Sequence, residues 1–327
     1  MKKQLTFLLA LFATQCSVMA QQQIPIASEA SELFFVSDTQ QPMWVEKILL
    51  RPHENLRATA DIFEAILLQK PKNLFMLGDV VSLGFANRKW KKVDQFLDSC
   101  RKEGTQVCGL LGNHDVMGRR KKGELNFQKR FPMNVRTGYM TITDSVAIIM
   151  LNSNFKTLSI LDIANQQAWY KKTMMDLDAD DTVRAIIVCC HHAPFTNSKM
   201  VGCSVDVQEN FVPDYVKSKK ARLFITGHCH AFEHFKMKGK DFLVIGGGGG
   251  LRQPLNVSKE DMTDLASDYK PRYHYLSVKR IDDNLLVTSH FLKEDFNGFE
   301  TGMTFNTKAK AEHLAITKDE LHGKLAN

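Results

Sequence analysis

The sequence predicts a layered α/β fold with mixed sheets, and three observations lead to this prediction. Over the first two thirds of the chain, short apolar runs typical of buried strands alternate with longer segments of helical periodicity. Several strand-like runs then follow one another without a helix between them. The 327 residues are 44% hydrophobic and 24% charged and contain no internal repeat or low-complexity linker, which favours one large globular domain.

The first elements follow in order from residue 33. Residues 33–38, LFFVSD, form an apolar run that predicts a buried strand ending at an acidic residue. Residues 54–70 carry apolar side chains about every 3.6 residues, as a helix does, and Pro71 ends that pattern. The alternation continues with a strand and loop, a helix, and a second strand and loop at residues 73–79, 90–102 and 106–115.

The second half of the chain becomes richer in strands. Residues 139–154 predict two antiparallel strands, residues 165–177 a helix, and residues 184–194 a strand followed by a loop. Four further strand-like runs lie at residues 221–230, 241–250, 274–282 and 284–292. Alternating strands and helices followed by consecutive strands indicate a mixed central architecture.

The N-terminal residues have the pattern of a secretory signal peptide. Lys2 and Lys3 precede an apolar run, and Val18 and Ala20 stand at the −3 and −1 positions of a cleavage site. That run is too short to span a bilayer comfortably and no later run is long enough, so we expect no transmembrane segment. We therefore expect a periplasmic or secreted protein. By this interpretation the chain divides into a signal peptide at 1–20, an N-terminal lead at 21–32, the main domain at 33–296 and a polar, poorly patterned tail at 297–327.

Cysteines and charge leave some points open. Cys16 allows lipoprotein anchoring as a weaker alternative, because the bulky Gln15 stands where a lipobox has a small residue. Six cysteines follow Ala20, and export allows disulfides, although small buried thiols explain the spacing equally well. The net charge falls from +7 to +5 without Lys2 and Lys3, which suits anionic substrates and does not by itself indicate nucleic acid. We expect no stable nucleic-acid partner.

One predicted strand after another ends in a side chain that can bind a metal ion. These strand ends carry Asp38, then Asp79, then Asn113, His114 and Asp115, then His191 and His192, and finally His228 and His230. Each alone is explained by a turn or a helix cap. Because the carboxyl ends of strands in α/β sheets converge on one crevice, all five together predict a single polar site.

These motifs resemble the signature of calcineurin-like metallophosphoesterases, D-x-H, G-D, G-N-H-[DE], H and G-H-x-H. The matching residues are Asp38-x-Gln40, Gly78-Asp79, Gly112-Asn113-His114-Asp115, His191-His192 and Gly227-His228-Cys229-His230. The resemblance extends from residue 33 to about residue 291. It implies a four-layer α/β/β/α sandwich of mixed sheets with a dinuclear metal site at the strand ends.

The resemblance also implies a role for each residue. Asp79 would bridge two divalent ions, one completed by Asp38, Gln40 and His230 and the other by Asn113, His228 and His191. The roles of His191 as ligand and His192 as substrate contact could be reversed. A water shared by the ions would attack a phosphate ester, His114 would protonate the leaving group, and Asp115 would orient its imidazole. Oxygen and nitrogen ligands suit Mn, Fe or Zn better than Ca, without choosing among the three.

Two departures from the family pattern bear on the metal site. Gln40 stands where the family has a histidine, so this ion would be more labile, or Gln40 would only bond to its water. Ser82 stands where purple acid phosphatases have a tyrosine, so no iron–tyrosinate colour is expected, although GHCHAFEH resembles the G-H-x-H-A-Y-E of that branch.

Two further segments bear on specificity. Arg119 and Arg120 begin a basic run, residues 119–122, that either clamps an anionic group of the substrate or lies in a solvated loop. The glycine run at residues 246–250 lacks the lysine of a P-loop and indicates flexible or closely approaching backbone.

The function expected is hydrolysis of a phosphorylated small molecule or phosphoprotein, as a phosphomonoesterase. The alternative is a phosphodiesterase or a nucleotide-directed enzyme of the same fold, a nuclease included. Residues 230–234 also match the H-x-x-E-H zinc protease motif, but that needs His230 and His234 on a helix, and strand-like runs flank the segment. A non-catalytic binding protein is the last alternative, and Gln40 alone supports it.

Overall fold

The computed structural model describes residues 24–25, 32–256, 262–266 and 271–307. The predicted signal peptide at 1–20, nearly all of the lead at 21–32 and the tail from residue 308 onward lie outside the described residues. Within the described ranges, no helix combines the length and the apolar character needed to cross a bilayer.

Two mixed sheets form the centre of the fold. The first sheet consists, from edge to edge, of β1 (Ile24–Pro25), β5 (Tyr139–Thr143), β6 (Val146–Met150), β7 (Ala185–Cys189), β8 (Ala221–Thr226), β10 (Lys240–Ile245) and β9 (Phe232–Met237). The second sheet consists of β13 (Phe299–Asn306), β12 (Asn284–Leu292), β11 (His274–Ile281), β2 (Leu33–Val36), β3 (Asn73–Met76) and β4 (Gln106–Gly109).

Helices lie on the outer faces of both sheets. They are α1 (Glu46–Leu49), α2 (Asn55–Leu68), α3 (Asn87–Lys102), α4 (Asn113–Val116), α5 (Arg120–Arg130), α6 (Ile160–Ala179), α7 (Val205–Asn210) and α8 (Val212–Lys217), with a 3-10 turn at Phe155–Thr157. The predicted helices at 54–70 and 90–102 are confirmed as α2 and α3. The predicted helix at 165–177 begins earlier, where Ser159 caps α6 by accepting a hydrogen bond from the Asp162 amide.

The alternation of side chains along each strand produces the layers. In β2, Leu33 and Phe35 enter the core between the two sheets, whereas Phe34 and Val36 face the core under α2 and α3. In β6, Ile148 faces the inter-sheet core while Ile149 faces the core under α6 to α8. Three cores separate four layers, so the α/β/β/α sandwich is confirmed. Each such side chain contributes about 1.5–3 kcal/mol when fully buried.

The C-terminal boundary differs from the prediction. Residues 299–306, placed in the tail from residue 297, form β13, which pairs antiparallel with β12 from Phe299 opposite Leu292 to Asn306 opposite Leu286. The segment is poorly patterned because most of its side chains are exposed, and only Phe299, Met303 and Phe305 pack against the cores. The sheet therefore continues beyond residue 296.

The six cysteines of the described ranges are all free thiols. Five of them are buried and Cys203 is exposed. Burial raises the pKa of the Cys108 thiol to about 12 and that of Cys100 to about 12, which keeps both protonated and unreactive. Of the two interpretations of the cysteine spacing, disulfides or small buried thiols, the structure shows buried thiols at five of the six positions.

Candidate active site

The carboxyl ends of strands from both sheets meet at one edge of the sandwich. Strands β2, β3 and β4 are parallel to one another, as are β7 and β8 in the other sheet. The two sheets are joined there because the His228 amide, after β8, donates to Asp38 Oδ2, after β2, at 2.9 Å. The predicted convergence of strand ends is therefore seen in the structure.

One group of ligand atoms surrounds Asp79. Ligand atoms of Asp79, His191 and His228 all lie within 4.8 Å of one another. His191 Nδ1 contacts the Leu77 carbonyl at 2.9 Å, so it donates there and leaves Nε2 as an acceptor. That Nε2 faces two further acceptors, Asp79 Oδ2 at 3.3 Å and Asn113 Oδ1 at 3.1 Å. Acceptors that face one another in this way fit a bound cation.

A second group of acceptors surrounds Asp38. Its Oδ1 is buried, has no hydrogen-bond partner among the described residues and lies 3.4 Å from His230 Nε2. His230 Nδ1 contacts the Leu251 carbonyl at 2.7 Å, which again leaves Nε2 free to bind a metal. When the Gln40 amide is oriented so that Nε2 donates to the Asp79 carbonyl at 2.8 Å, its Oε1 points toward His230 Nε2, 3.2 Å away. These three residues fit a second cation.

The backbone that presents these ligands is strained. Asp38, Asp79 and His228 have φ values of 59°, 48° and 69°, in the left-handed region that costs non-glycine residues roughly 1–3 kcal/mol each. Glycines beside them make room, since a Cβ on Gly227 would lie 2.4 Å from Asp38 Oδ2 and one on Gly112 would lie 2.1 Å from Asp79 Oδ1. These strained conformations therefore occur at three of the strand ends that carry the candidate ligands.

Charge at the site favours cations. Burial lowers the pKa of His191, but the adjacent Asp79 carboxylate raises it more, to about 9. Burial likewise raises the pKa of Asp79, yet His191 and His114 together hold it well below its ordinary value, so the carboxylate stays ionised. An ionised carboxylate among imidazoles binds a divalent ion when those imidazoles are neutral ligands.

The predicted contact between Asp115 and His114 is wrong. The carboxylate of Asp115 accepts hydrogen bonds from the Val80 and Val81 amides at 3.1 and 3.3 Å and from the Gly112 amide at 2.9 Å. His114 Nδ1 instead lies 3.3 Å from the Ser82 carbonyl. Asp115 therefore joins the loops after β3 and β4, and a backbone carbonyl orients the imidazole.

His191 and His192 point in different directions. His191 faces Asp79, as described above, whereas His192 Nδ1 lies 2.8 Å from Ser153 Oγ. Burial lowers the pKa of His192 to about 3, with His191 adding to the effect, so His192 is a neutral imidazole. The geometry favours His191 for the metal and leaves His192 beside it at the cleft.

Two clefts open on either side of His228. The larger, about 600 Å³, is bordered by His192 and by polar residues that include Ser153, Asn154 and Lys156. The smaller, about 240 Å³, reaches Asp79, His114 and His230. Asn113 borders both clefts. A substrate bound at the ligand atoms can thus extend in two directions.

Most of the basic run lies on a helix, since Arg119 precedes α5 and residues 120–122 form its first turn. Arg120 is the first residue of α5, and its Nη1 donates to the Thr157 carbonyl at 2.7 Å. The Arg119 guanidinium lies over the Phe85 ring, 5.7 Å from its centroid. Neither arginine borders the clefts around His228. Their predicted role as substrate contacts therefore has no support in the geometry.

The glycine run approaches the site closely through its backbone. The Gly248 amide donates to the Ser37 carbonyl and the Gly250 amide to the Asp38 carbonyl, both at 2.9 Å. Asn55 Nδ2 in turn donates to the Gly249 carbonyl at 2.9 Å. Of the two interpretations of this run, the structure shows close approach.

The protease interpretation is wrong because Glu233 and His234 lie on a strand. Both belong to β9, paired antiparallel with β10, so they do not share a helical face with His230. Glu233 accepts hydrogen bonds from Thr196 Oγ1 at 2.6 Å and from the Asn197 amide at 2.7 Å. His234 Nε2 lies 2.9 Å from Asp241 Oδ1. Both side chains are buried and turned away from the ligand atoms.

Several residues that shape the site were not predicted from the sequence. The Leu77 and Leu251 carbonyls orient the metal-facing histidines, and backbone groups leave no signal in a sequence. Ser153 Oγ accepts hydrogen bonds from the His191 and His192 amides at 3.2 and 3.0 Å. Its one available signal was its place directly after the apolar run of β6.

Comparison with known proteins identifies the fold. Residues 33–232 match the family model of calcineurin-like phosphoesterases. A solved structure described as GAP50, the anchor in the inner membrane complex of Plasmodium, superimposes with a TM-score of 0.63 at 16% identity, covering 90% of this chain and 93% of that one. A purple acid phosphatase, PPD1, from seeds of yellow lupin (Lupinus luteus) gives 0.58 at 16% identity over 86% of this chain.

The match covers only 54% of the lupin enzyme's own length. A dimetal phosphatase from Danio rerio superimposes with a TM-score of 0.53 at 12% identity, covering 86% of this chain and 99% of that one. No curated protein matches the chain. At these identities the solved structures show a shared fold, and they do not by themselves indicate a shared activity.

Proposed function

Because the chain belongs to the calcineurin-like phosphoesterase family, we propose that it is an exported phosphatase that hydrolyses phosphate monoesters with two divalent ions. The family supports metal-dependent phosphoester hydrolysis in general. One observation carries the finer proposal. Two groups of side chains that can bind a metal ion meet at Asp79, since the Gln40 side-chain amide and His191 Nε2 both approach its Oδ2, at 3.5 and 3.3 Å.

The two groups of ligand atoms would hold the ions. Asp79, with two carboxylate oxygens, would serve both, and the remaining ligands would be Asn113, His191 and His228 on one side and Asp38, Gln40 and His230 on the other. Bound divalent cations such as Mn, Fe or Zn polarise a nucleophilic water and offset the negative charge of a phosphoryl group. Asp38 Oδ1 is buried without a hydrogen-bond partner among the described residues, so a variant at Asp38 tests directly whether this second group holds an ion.

His114 is the candidate general acid. Its Nδ1 contacts the Ser82 carbonyl, and its Nε2 lies 3.8 Å from Asp79 Oδ2, at the wall of the smaller cleft. A hydrogen bond to a carbonyl requires a proton on Nδ1, so a second proton on Nε2 makes the ring an imidazolium that can donate. We place the departing oxygen within reach of Nε2.

His192 is the candidate donor to a phosphoryl oxygen. Ser153 Oγ already accepts from two backbone amides, so its single O–H donates to His192 Nδ1. The neutral imidazole therefore carries its proton on Nε2. Because His192 borders the larger cleft together with His228, that N–H is available to a substrate anion.

Phosphodiester hydrolysis is the second candidate function. The observation that favours it is the larger cleft, whose polar wall with Lys156 gives room for a second substituent on phosphorus. The fold alone does not require turnover, since its Plasmodium neighbour is described as an anchor. His114 beside the ligand atoms favours an enzyme over a non-catalytic binding protein.

A substrate panel tests the proposal. We expect activity on an aryl monoester to exceed that on an aryl diester, nucleotides and phosphoproteins, to depend on added Mn, Fe or Zn, and to vanish with chelator. Activity that survives exhaustive metal removal would contradict the proposed mechanism. Export is tested separately, by fractionation and by the mass of the mature N-terminus, expected to begin at Gln21.

A further inference from the structure

A short apolar segment lies exposed beside the proposed site. Trp44, Val45, Ile48 and Leu49, in and just before α1, all have exposed side chains, and α1 buries none of its residues. A contiguous group of large apolar side chains is rarely left in water without a function. This segment is therefore a candidate surface for an apolar group.

The smaller cleft connects this segment to His114. Its walls include Leu49 and Leu50 from this segment together with Met200 and Val201. The two polar side chains of these walls already have partners, since Glu46 accepts from the Met43 amide at 2.5 Å and Gln253 from Ser198 Oγ at 3.0 Å. What the walls offer a substrate is apolar surface.

The two clefts differ in chemistry. The larger one, beside His192, combines hydroxyl, amide and ammonium groups from Ser153, Asn154 and Lys156 with apolar side chains such as Phe155 and Val205. In the smaller one, beside His114, the surface outside the ligand residues, Glu46 and Gln253 consists of aliphatic and thioether groups. In the proposed reaction His114 gives a proton to the departing oxygen, so the leaving alcohol occupies the apolar cleft.

We propose that the enzyme selects phosphate esters of apolar alcohols, whose alkyl group packs against Leu49, Leu50, Met200 and Val201. This inference rests on the proposed function and names its substrate class. The oxygen of water bonds to phosphorus, the bond from phosphorus to the alcohol oxygen breaks, and that oxygen takes a proton from His114. The products are the free alcohol and inorganic phosphate, and the remaining proton of the water restores His114.

A series of primary alkyl phosphates, from ethyl to octyl, tests this inference. Their leaving alcohols have nearly equal acidity, so only apolar length changes along the series. We expect kcat/KM to rise about two- to fourfold with each methylene that the cleft buries. Phosphate release with added Mn measures it.

Leu49→Ser and Ile48→Ser form a matched pair of variants. Both residues lie in α1 and are similarly exposed, at 72% and 69%, but Leu49 borders the cleft and Ile48 does not. We expect Leu49→Ser to flatten the dependence on chain length and Ile48→Ser to preserve it. Equal slopes in both variants and in the parent protein would overturn the inference.

Binding of alkylphosphonates, which cannot be hydrolysed, separates this inference from the proposed function. We expect their Kd, measured by calorimetry with Mn present, to fall with chain length in the parent protein and not in Leu49→Ser. If Kd falls with chain length while no phosphoester is hydrolysed, the inference that the cleft binds an alkyl group stands and the proposed function fails. A Kd independent of chain length overturns the inference, and a concentration-dependent dimer that covers α1 would then explain the exposed segment.

Discussion

Among the individual side chains, His228 and His234 give the sharpest contrast. His228 lies with Asp79 and His191 in one ligand group, whereas His234 is buried against Asp241 and stacks on Phe305. Substitution of a residue that orients a metal ligand typically costs roughly 10- to 100-fold in activity. We expect His228→Ala, which removes a proposed ligand itself, to lower kcat by more than this. His234→Gln, which retains a hydrogen-bond donor toward Asp241, should keep kcat per folded molecule.

Steady-state kinetics and a folded fraction from circular dichroism measure both variants. If His234→Gln lost as much kcat as His228→Ala, the assignment of His228 as a metal ligand and of His234 as a non-ligand would be refuted. Metal content per chain provides the second readout, because His228→Ala should retain less metal than the parent protein.

His114 should matter most when the leaving group is a poor one. Loss of a general acid typically costs 10²- to 10⁴-fold, and less when the leaving oxygen needs no proton. We therefore expect His114→Ala to reduce kcat on an alkyl phosphate far more than on p-nitrophenyl phosphate. An equal loss on both substrates would assign His114 to binding and not to proton transfer.

The residue types at the site could be predicted from the sequence, but their partners could not. Asp38, Asp79 and His228 directly follow apolar strands, and such local order is visible in the chain. Asp115 follows His114 in sequence, yet its carboxylate bonds to the Val80 and Val81 amides, in a loop after another strand. Adjacent residues in one helical turn point in different directions, so sequence proximity misled the assignment.

Strand β9 carries a buried carboxylate whose ionisation should affect stability. Burial raises the pKa of Glu233 to about 7 from an ordinary value of 4.5, although the hydrogen bonds from Thr196 and Asn197 lower it. Because the folded pKa exceeds the unfolded one, the resulting stabilisation is complete below pH 4.5 and is lost as pH rises through about 7.

Glu233→Gln should remove this pH dependence. We expect the free energy of unfolding of the variant to rise relative to the parent protein as pH increases across that interval. Urea denaturation on both sides of the interval measures the difference. A difference that does not change with pH would show that Glu233 ionises alike in the folded and unfolded chains.

Strands β9 and β13 were not predicted from the sequence, and both omissions share a physical cause. Strand β9 pairs with β10 along its full length, but its sequence mixes Glu233, His234 and Lys236 with apolar residues, so no period-2 pattern appears. Strand β13 is an edge strand with largely exposed side chains. In both strands, pairing with a distant neighbour outweighs local preference.

For the molecule as a whole, metal binding should couple to stability. A ligand that binds only the folded chain stabilises it by about 2.7 kcal/mol at 100 times its Kd. In a domain of this size, with an unfolding entropy of about 2.1 cal/mol/K per residue, that corresponds to a rise in Tm of roughly 5 °C. We expect chelator to lower Tm by this amount and Mn, Fe or Zn to restore it.

The Asp38→Ala variant tests which ligand group contributes. Because Asp38 Oδ1 has no hydrogen-bond partner in the part of the chain that the structure describes, its removal should cost the second ion and part of the metal-dependent rise in Tm. Scanning calorimetry with and without metal measures the shift. A full metal-dependent rise in Asp38→Ala would show that this carboxylate holds no ion.

The sequence by itself determined the layered architecture, the order of most strands and the polar residues at their ends, because apolar periodicity and short motifs are local properties of the chain. Only the tertiary structure decided which nitrogen of His191 and His230 faces the ligand groups, which partners Asp115 takes, and that an exposed apolar segment borders the cleft of His114. Those features depend on where backbone carbonyls and loops from distant strands meet, and only long-range packing brings these groups together.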